Sequence, residues 1–501
     1  TGKNRFGRPL HENIRNRLQN AIEGRRKLMF NNPLIQRYRF SLMRPLQFWL
    51  YVTMYVVLVA ILFFLNYSAY KYTNSYMTLT DLFKSIYYQL FVFQLLVLAF
   101  WGAYNSGTAI RDEIIQKSYD FFRMLPIPSL GKTLGILIGK NLVVLLFAAI
   151  NCILLFYTGF RGSVNYILQI QILLLVISIA LLFNTATLLT SVNPQKKKKT
   201  SPIGFIILAF IFLPYGIGLI ATMLNTDDLQ TYPAWFYELK VPVLVLISSI
   251  CLYFTCWTFT GILRKFTKED QPLFTRNGAI LFMLGYLLVL VGLFFHHLSP
   301  LHKEILIAQW VITLIPVLLI PLVAERSFDN YLEHCGLLQA SATGRKPGLA
   351  TLLPYSNISL ALILFAIWAA GAAWTSFVSK ADIYQSLRFI LVLFSYYLFF
   401  ALLFELYVVC RPLSGKVGLF LVFVAIIYCI LPLILSAVMD SEIIYVYSPL
   451  GCLFDMGSST PKSDQTSIQA SMLLINALLC ITPITIILKR YKHIITTREN
   501  M

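Results

Sequence analysis

The sequence predicts an all-α membrane protein: twelve transmembrane helices as two tandem parallel six-helix repeats, behind an N-terminal amphipathic interfacial helix. Three observations predict it: how apolar the chain is, where its basic residues fall, and short motifs that recur in the same order in both halves. Hydrophobic residues fill 58% of the 501 positions and charged residues 13%, half of the ~25% usual in soluble domains. A soluble globule could not hide that much apolar surface, and disordered chains have the opposite composition. The net charge of +19 would suit nucleic acid only as a basic face on a soluble domain. Here the basic residues sit between apolar runs, so no nucleic-acid partner is expected.

A spanning helix needs about 20 mostly apolar residues. Twelve segments qualify: 46–65, 83–110, 133–158, 165–192, 202–223, 239–262, 277–297, 304–324, 356–376, 384–410, 417–438 and 469–488. Twelve spans put both termini on one side. Lys140 and the segments 1–45, 111–132, 193–201, 263–276, 325–355, 411–416 and 489–501 hold 33 of the 41 Lys and Arg residues. The positive-inside rule therefore places both termini in the cytoplasm, and the expected location is a plasma or bacterial inner membrane. The first 45 residues are polar and basic, with no early apolar core, so no signal peptide is expected. Most of the eight cysteines lie in apolar runs and no C-x-x-C occurs, so neither a metal knuckle nor a disulfide framework is indicated.

The N-terminal segment 1–45 carries Leu10, Ile14, Leu18, Ile22 and Met29 at helical spacing among eleven Lys and Arg. A basic amphipathic helix lying on the inner leaflet fits this pattern. Pro33 and Pro45 interrupt the path to the first span, which leaves room for a second short interfacial helix.

The repeat shows as four pairs. "NPLIQR" (Asn32 to Arg37) precedes span 1 and "QPLFTR" (Gln271 to Arg276) precedes span 7. "ALLFN" (Ala180 to Asn184) in span 4 matches "ALLFE" (Ala401 to Glu405) in span 10, and Leu213-Pro214 matches Leu431-Pro432. "ILRKF" (Ile262 to Phe266) and "ILKRY" (Ile487 to Tyr491) close spans 6 and 12. Six spans is an even number, so the halves, 46–262 and 263–501, share one orientation and form parallel repeats.

Gly131-Lys132-Thr133 resembles the end of a phosphate loop. That loop needs a glycine five residues earlier, where its backbone N–H can wrap phosphate; the position is Pro126, which has no N–H. No catalytic, nucleotide-binding or metal site is therefore expected in this chain. His296, His297 and His302 read as interfacial polar anchors in preference to a zinc site, with no thiol beside them in the sequence. Lys196 to Lys199 read as a charge anchor for the inner leaflet, which makes membrane lipids a partner. Glu405 is an acid inside a span, a functional position by default; near the span's end it also reads as a snorkelling carboxylate or a local ion pair with Arg411.

The segment between spans 2 and 3, "IRDEIIQKSYDFFRMLPIPSLGKTLGILIGK" (Ile110 to Lys140), carries more information. Charges at the membrane edge lead into a short amphipathic turn, then a Leu-Pro-Ile-Pro break. Gly131, Gly135 and Gly139 recur every four residues, a face that admits a close neighbour. This segment, with the "NNPLIQRYRFSLMR" stretch ahead of span 1, resembles the permeases of type-2 ABC (ATP-binding cassette) exporters, once per half. The resemblance implies a fused pair of permease halves working with two cytoplasmic ATPase subunits, the same or different. ATP and magnesium would be bound there, and accessory periplasmic or membrane subunits are possible partners. It assigns ATPase coupling to Arg111, Glu113, Tyr119, Asp120, Arg123 and Pro126. In the second half it assigns a weaker version to Glu325, Arg326 and Tyr331, because "AERSFDNYLEHCGLL" lacks the Leu-Pro-x-Pro break. It also implies short re-entrant helices in the outer loops 224–238 and 439–468. Two alternatives stay open: a secondary transporter of the major facilitator type, which shares the six-plus-six repeat, and a membrane transferase acting on lipid-linked substrates.

Overall fold

The apolar runs become helices, and most of these end where a capping side chain or a proline dictates. The computed structural model describes residues 32–72, 78–115, 117–118, 124–192, 233–267, 273–295, 309–310, 312–314, 316–317, 320, 357–378, 383–410, 434 and 465–499. Helix α1 is Pro33–Leu42 and α2 is Pro45–Tyr72. Helix α3 runs Leu79–Ile115, with a π-helical stretch at Leu96–Trp101. Then come α4 (Ser129–Gly139), α5 (Leu142–Arg161) and α6 (Tyr166–Ser191). A hairpin of β1 (Pro233–Phe236) and β2 (Leu239–Pro242) precedes α7 (Val243–Thr267). Helices α8 (Arg276–Phe294), α9 (Asn357–Val378), α10 (Ile383–Cys410) and α11 (Gln465–Glu499) follow.

Among the described residues, nine helices are long and apolar enough to cross a membrane. Large side chains such as Leu46, Trp49, Met54 and Phe64 stand exposed along α2, a surface that only a bilayer can solvate. The chain is thus an α-helical membrane protein. The predicted spans 202–223, 304–324 and 417–438 fall wholly or largely outside the described residues, as do 1–31, Lys196 to Lys199, the histidine cluster and the loop 439–464.

Local chemistry explains where the observed elements depart from the predicted ones. Helix α2 continues to Tyr72, seven residues past the predicted end. Its polar extension is tied to α3, where Asn66 Nδ2 donates to Gln89 Oε1 (2.7 Å) and Ser85 Oγ to Asn66 Oδ1 (3.1 Å). Helix α3 opens on a capping box: Asp81 N–H donates to Thr78 Oγ1 (3.2 Å) and Thr78 N–H to Asp81 Oδ2 (3.0 Å), which satisfies two otherwise orphaned donors. The predicted span 133–158 is two helices, because Asn141 breaks it. Its Nδ2 donates to the Leu137 carbonyl (3.0 Å) and to Ser106 Oγ (2.9 Å), side-chain competition that disfavours helix continuation. The turn between α5 and α6 falls at Gly162–Asn165, where a Cβ on Gly162 would lie 2.9 Å from the Lys84 backbone nitrogen. Asn165 then caps α6 through the Ile167 N–H (2.9 Å).

The hairpin corrects one expectation. A re-entrant helix was implied for 224–238, yet its described part, 233–238, is a strand entering a turn. Tyr237 takes a left-handed φ of 56°. It is held there by its N–H to the Gly292 carbonyl and its hydroxyl to the Leu288 carbonyl, both 2.8 Å. A Cβ on Gly292 would lie 2.6 Å from the Phe236 ring, so α8 carries a glycine where the hairpin lies on it.

The chain divides into two compact units, Thr1–Tyr232 with Val243–Glu269, and Pro233–Pro242 with Asp270–Met501. In the first, Ile86, Leu90, Phe91, Val144, Phe147, Ile172 and Val176 build the core. A polar knot crosses it: Tyr55 hydroxyl donates to Asn151 Oδ1 (3.2 Å), Asn151 Nδ2 to Gln94 Oε1 (2.7 Å), and Gln94 Nε2 to the Ala148 carbonyl (3.1 Å). In the second, buried tryptophans play this part. Trp368 Nε1 donates to Thr313 Oγ1 (2.9 Å), and Trp310 Nε1 to Thr375 Oγ1 (3.2 Å). Helices α6 and α7 pack most extensively in the first unit, and α10 and α11 in the second.

Candidate functional site

The segment with the richest sequence signal is where α1 lies on the junction of α3 and α4. Asn32 is the N-cap of α1: its Oδ1 accepts the Leu34 N–H (3.0 Å) and Pro33 fills the first helical position, where its missing N–H costs nothing. The same side chain reaches across to α4 and donates to the Gly131 carbonyl at 2.6 Å. A Cβ on Gly135 would sit 2.9 Å from both Asn32 Nδ2 and Leu34 Cβ, and one on Gly139 would sit 2.6 Å from Tyr38 Cδ2. The glycine face predicted from spacing therefore receives α1, with Leu34, Ile110, Ile136, Leu188 and Ile262 as the apolar seal.

Helix α3 ends beside it in a Schellman turn. The Ser118 N–H donates to the Glu113 carbonyl (3.0 Å) and the Lys117 N–H to the Ile114 carbonyl (3.1 Å). Lys117 takes the left-handed position (φ 55°) where glycine is usual. This turn aims the last carboxylates of α3 at α1 and α4. Glu113, 4% exposed, accepts from Arg37 Nη2 (3.1 Å), Ser118 Oγ (2.5 Å) and the Tyr38 hydroxyl (3.4 Å). Asp112 Oδ2 pairs with Lys140 Nζ at 2.9 Å. Burial, and then the Glu113 carboxylate, hold the Tyr38 phenol well above its ordinary value of 10.0.

Each residue predicted for coupling has a definite place or none. Arg111 and Pro126 are exposed. Glu113 is buried, and its carboxylate is turned to three internal partners and not to the surface. Tyr119, Asp120 and Arg123 lie outside the described residues, as do Glu325, Arg326 and Tyr331 of the second half. Glu405 is 0% exposed inside α10, so it is not a carboxylate snorkelling to water; Arg411 lies outside the described residues. Sequence reasoning passed over Asn32, Arg37, Tyr38 and Ser118. A signal existed: an acid ending an apolar run needs a cation, and the nearest basic segment is the one ahead of span 1.

Asn184 ends the "ALLFN" stretch that matches the "ALLFE" ending in Glu405. Its Nδ2 donates to the Leu98 carbonyl (3.4 Å) within the π-helical stretch. A Cβ on Gly102 would lie 2.8 Å from Asn184 Oδ1. No family model, curated protein or solved structure matches the chain.

Proposed function

We propose that the chain is the membrane permease of an ATP-driven exporter, built from two fused six-span halves and driven by separate ATPase subunits. The observation that carries this reading is the clasp of α1, α3 and α4. The end of a 37-residue helix is locked to α1 by the Arg37–Glu113 ion pair and to the C-terminal end of α4 by the Asp112–Lys140 pair, while the glycine face seats α1 on α4. A push on such a rigid end moves the whole of α3, whereas a flexible loop would absorb it. Exposed Arg111 and Pro126, with Tyr119, Asp120 and Arg123 between them in sequence, would form the surface that receives the push. Two features support the repeat. The fourth and sixth predicted spans of each half, α6 with α7 and α10 with α11, are the most extensively packed pairs. Each pair also has a polar bridge: Thr185 Oγ1 and Thr258 Oγ1 at 2.8 Å, and Asn476 Nδ2 to Ser395 Oγ at 3.0 Å. In this reading the chain's residues perform no bond chemistry and turn ATPase closure into alternating exposure of a transmembrane path.

The test is biochemical. The purified chain in lipid nanodiscs should hydrolyse no ATP, and affinity purification from its native membrane should bring down an ATPase. Turnover by the chain alone, or a pull-down with no ATPase and no loss of transport, would sink the proposal.

A further inference from the structure

We propose that the corner between α1 and α2 binds the headgroup of an acidic phospholipid through Arg39 and Arg44. Helix α1 spends one side on the protein, with Leu34 and Tyr38 buried against the glycines of α4. Arg37 is spent as well, on Glu113 at 3.1 Å. Phe40 lies about 200° round the helix from Tyr38 and is 78% exposed. Arg39 beside it is exposed too, and so is Arg44 at the corner, just ahead of α2. Among the described residues neither guanidinium has an ion-pair or hydrogen-bond partner. No Asp or Glu occurs from residue 32 to residue 80, and the acids at the clasp, Asp112 and Glu113, are paired with Lys140 and Arg37. The corner thus carries positive charge that the described protein does not balance.

What balances it follows from the neighbouring surface. Leu46 (81%), Trp49 (65%) and Leu50 are exposed in the first two turns of α2, the start of a 28-residue apolar span. A tryptophan so near the end of a span marks the level of the headgroups. Arg44 lies beyond it, outside the apolar run, and α1 with Arg39 leads into this corner. Helix α1 is no loose basic tail. Asn32 Nδ2 on the Gly131 carbonyl (2.6 Å) and the Arg37–Glu113 pair fix it, so Arg39 is presented at a constant place. A dissolved anion would find only exposed arginines, whose charge water already screens. A phospholipid meets both parts of the surface in one molecule: its phosphate takes the paired N–H groups of a guanidinium, and its acyl chains lie along Leu46 and Leu50. The charge selects the lipid. Phosphatidylcholine brings a cation with its phosphate and leaves the corner unbalanced. Phosphatidylglycerol brings a net negative charge, which basic residues at a membrane surface attract. The site stands whether or not the chain is a permease.

The test uses the full chain in phosphatidylcholine nanodiscs containing a phosphatidylglycerol with a diazirine in its headgroup, cross-linked by light and mapped by peptide mass spectrometry. Label should concentrate on residues 33–54 over α6, whose Ile167 and Ile170 are also exposed. Unlabelled phosphatidylglycerol should displace it severalfold better than added phosphatidylcholine, and glycerol phosphate should not displace it. Replacing Arg39→Gln and Arg44→Gln together should cut this labelling severalfold and leave α6 labelled as before. Arg39→Lys with Arg44→Lys keeps the charge and should retain the preference for phosphatidylglycerol. Equal displacement by the two lipids in the parent chain would overturn the proposal, and that measurement needs no variant to fold. Unchanged labelling in the glutamine pair would overturn it too, as would displacement by glycerol phosphate, which would make the corner a site for a dissolved anion.

Discussion

Glu113 shows how much one buried carboxylate can organise. It accepts hydrogen bonds from a guanidinium, a hydroxyl and a phenol on two different segments, so removing its charge leaves Arg37 and Tyr38 facing an amide. Glu113→Gln should cost about 1.5–3 kcal/mol, the range for hydrogen bonds to charged groups. The lower part of that range is expected, since the Arg37 side chain is 42% exposed and solvent screens it. A double-mutant cycle with Arg37→Met, read by thermal unfolding in nanodiscs, should give a positive coupling energy; strict additivity would show that the pair does not interact. Tyr38 adds a pH dependence. Its folded form holds the phenolic proton more tightly than the unfolded chain, whose value is near 10.0. The associated stability is therefore complete below pH 10 and is lost as pH rises through the higher folded value. Proteolysis between residues 32 and 45 should accelerate above pH 10 in the parent chain, and this alkaline step should vanish in Tyr38→Phe.

At the scale of elements, the close approach of α1 to α4 rests on missing side chains. Gly139→Ala would force a methyl to 2.6 Å from the Tyr38 ring. Overpacking of this kind costs about 1–3 kcal/mol, and here it acts through the Arg37–Glu113 contact. The expected result is earlier proteolytic release of α1, with α5 and α6 protected as before; equal loss of protection everywhere would mean global misfolding. The hairpin makes the complementary point. Its turn residues carry little intrinsic preference for a left-handed φ, and Tyr237 adopts it because two α8 carbonyls, Leu288 and Gly292, are in reach. That is a contact between segments 51 residues apart, which no local property of this stretch announces.

Across the whole molecule, the two halves differ in what precedes their first helix. "NPLIQR" opens α1, a separate helix clasped to α4. Of the matching "QPLFTR", Thr275 caps α8 directly through the Gly278 N–H (2.9 Å). In the proposed permease reading, the clasped α1 is a reinforced drive point, and among the described residues no separate helix stands between the second motif and α8. In that reading, replacing the exposed Arg111 by Ala should reduce transport-stimulated ATP hydrolysis severalfold and leave thermal stability within about 0.5 kcal/mol, the usual range for surface changes. Glu325→Ala should reduce it less. Equal losses from both halves would show that they are driven alike.

Apolar periodicity, prolines and the four-residue glycine spacing are local properties, and from them the sequence alone determined the membrane class, the helical runs and a close-packing face at Gly131, Gly135 and Gly139. Burial in a bilayer leaves a chain of this composition few other choices. What that face receives, that Glu113 turns inward, and that Asn141 divides a predicted span were decided by tertiary structure. Each depends on which polar group from a distant segment arrives within about 3 Å, the reach of a hydrogen bond. Where water is absent, that arrival determines whether a polar residue supports the fold.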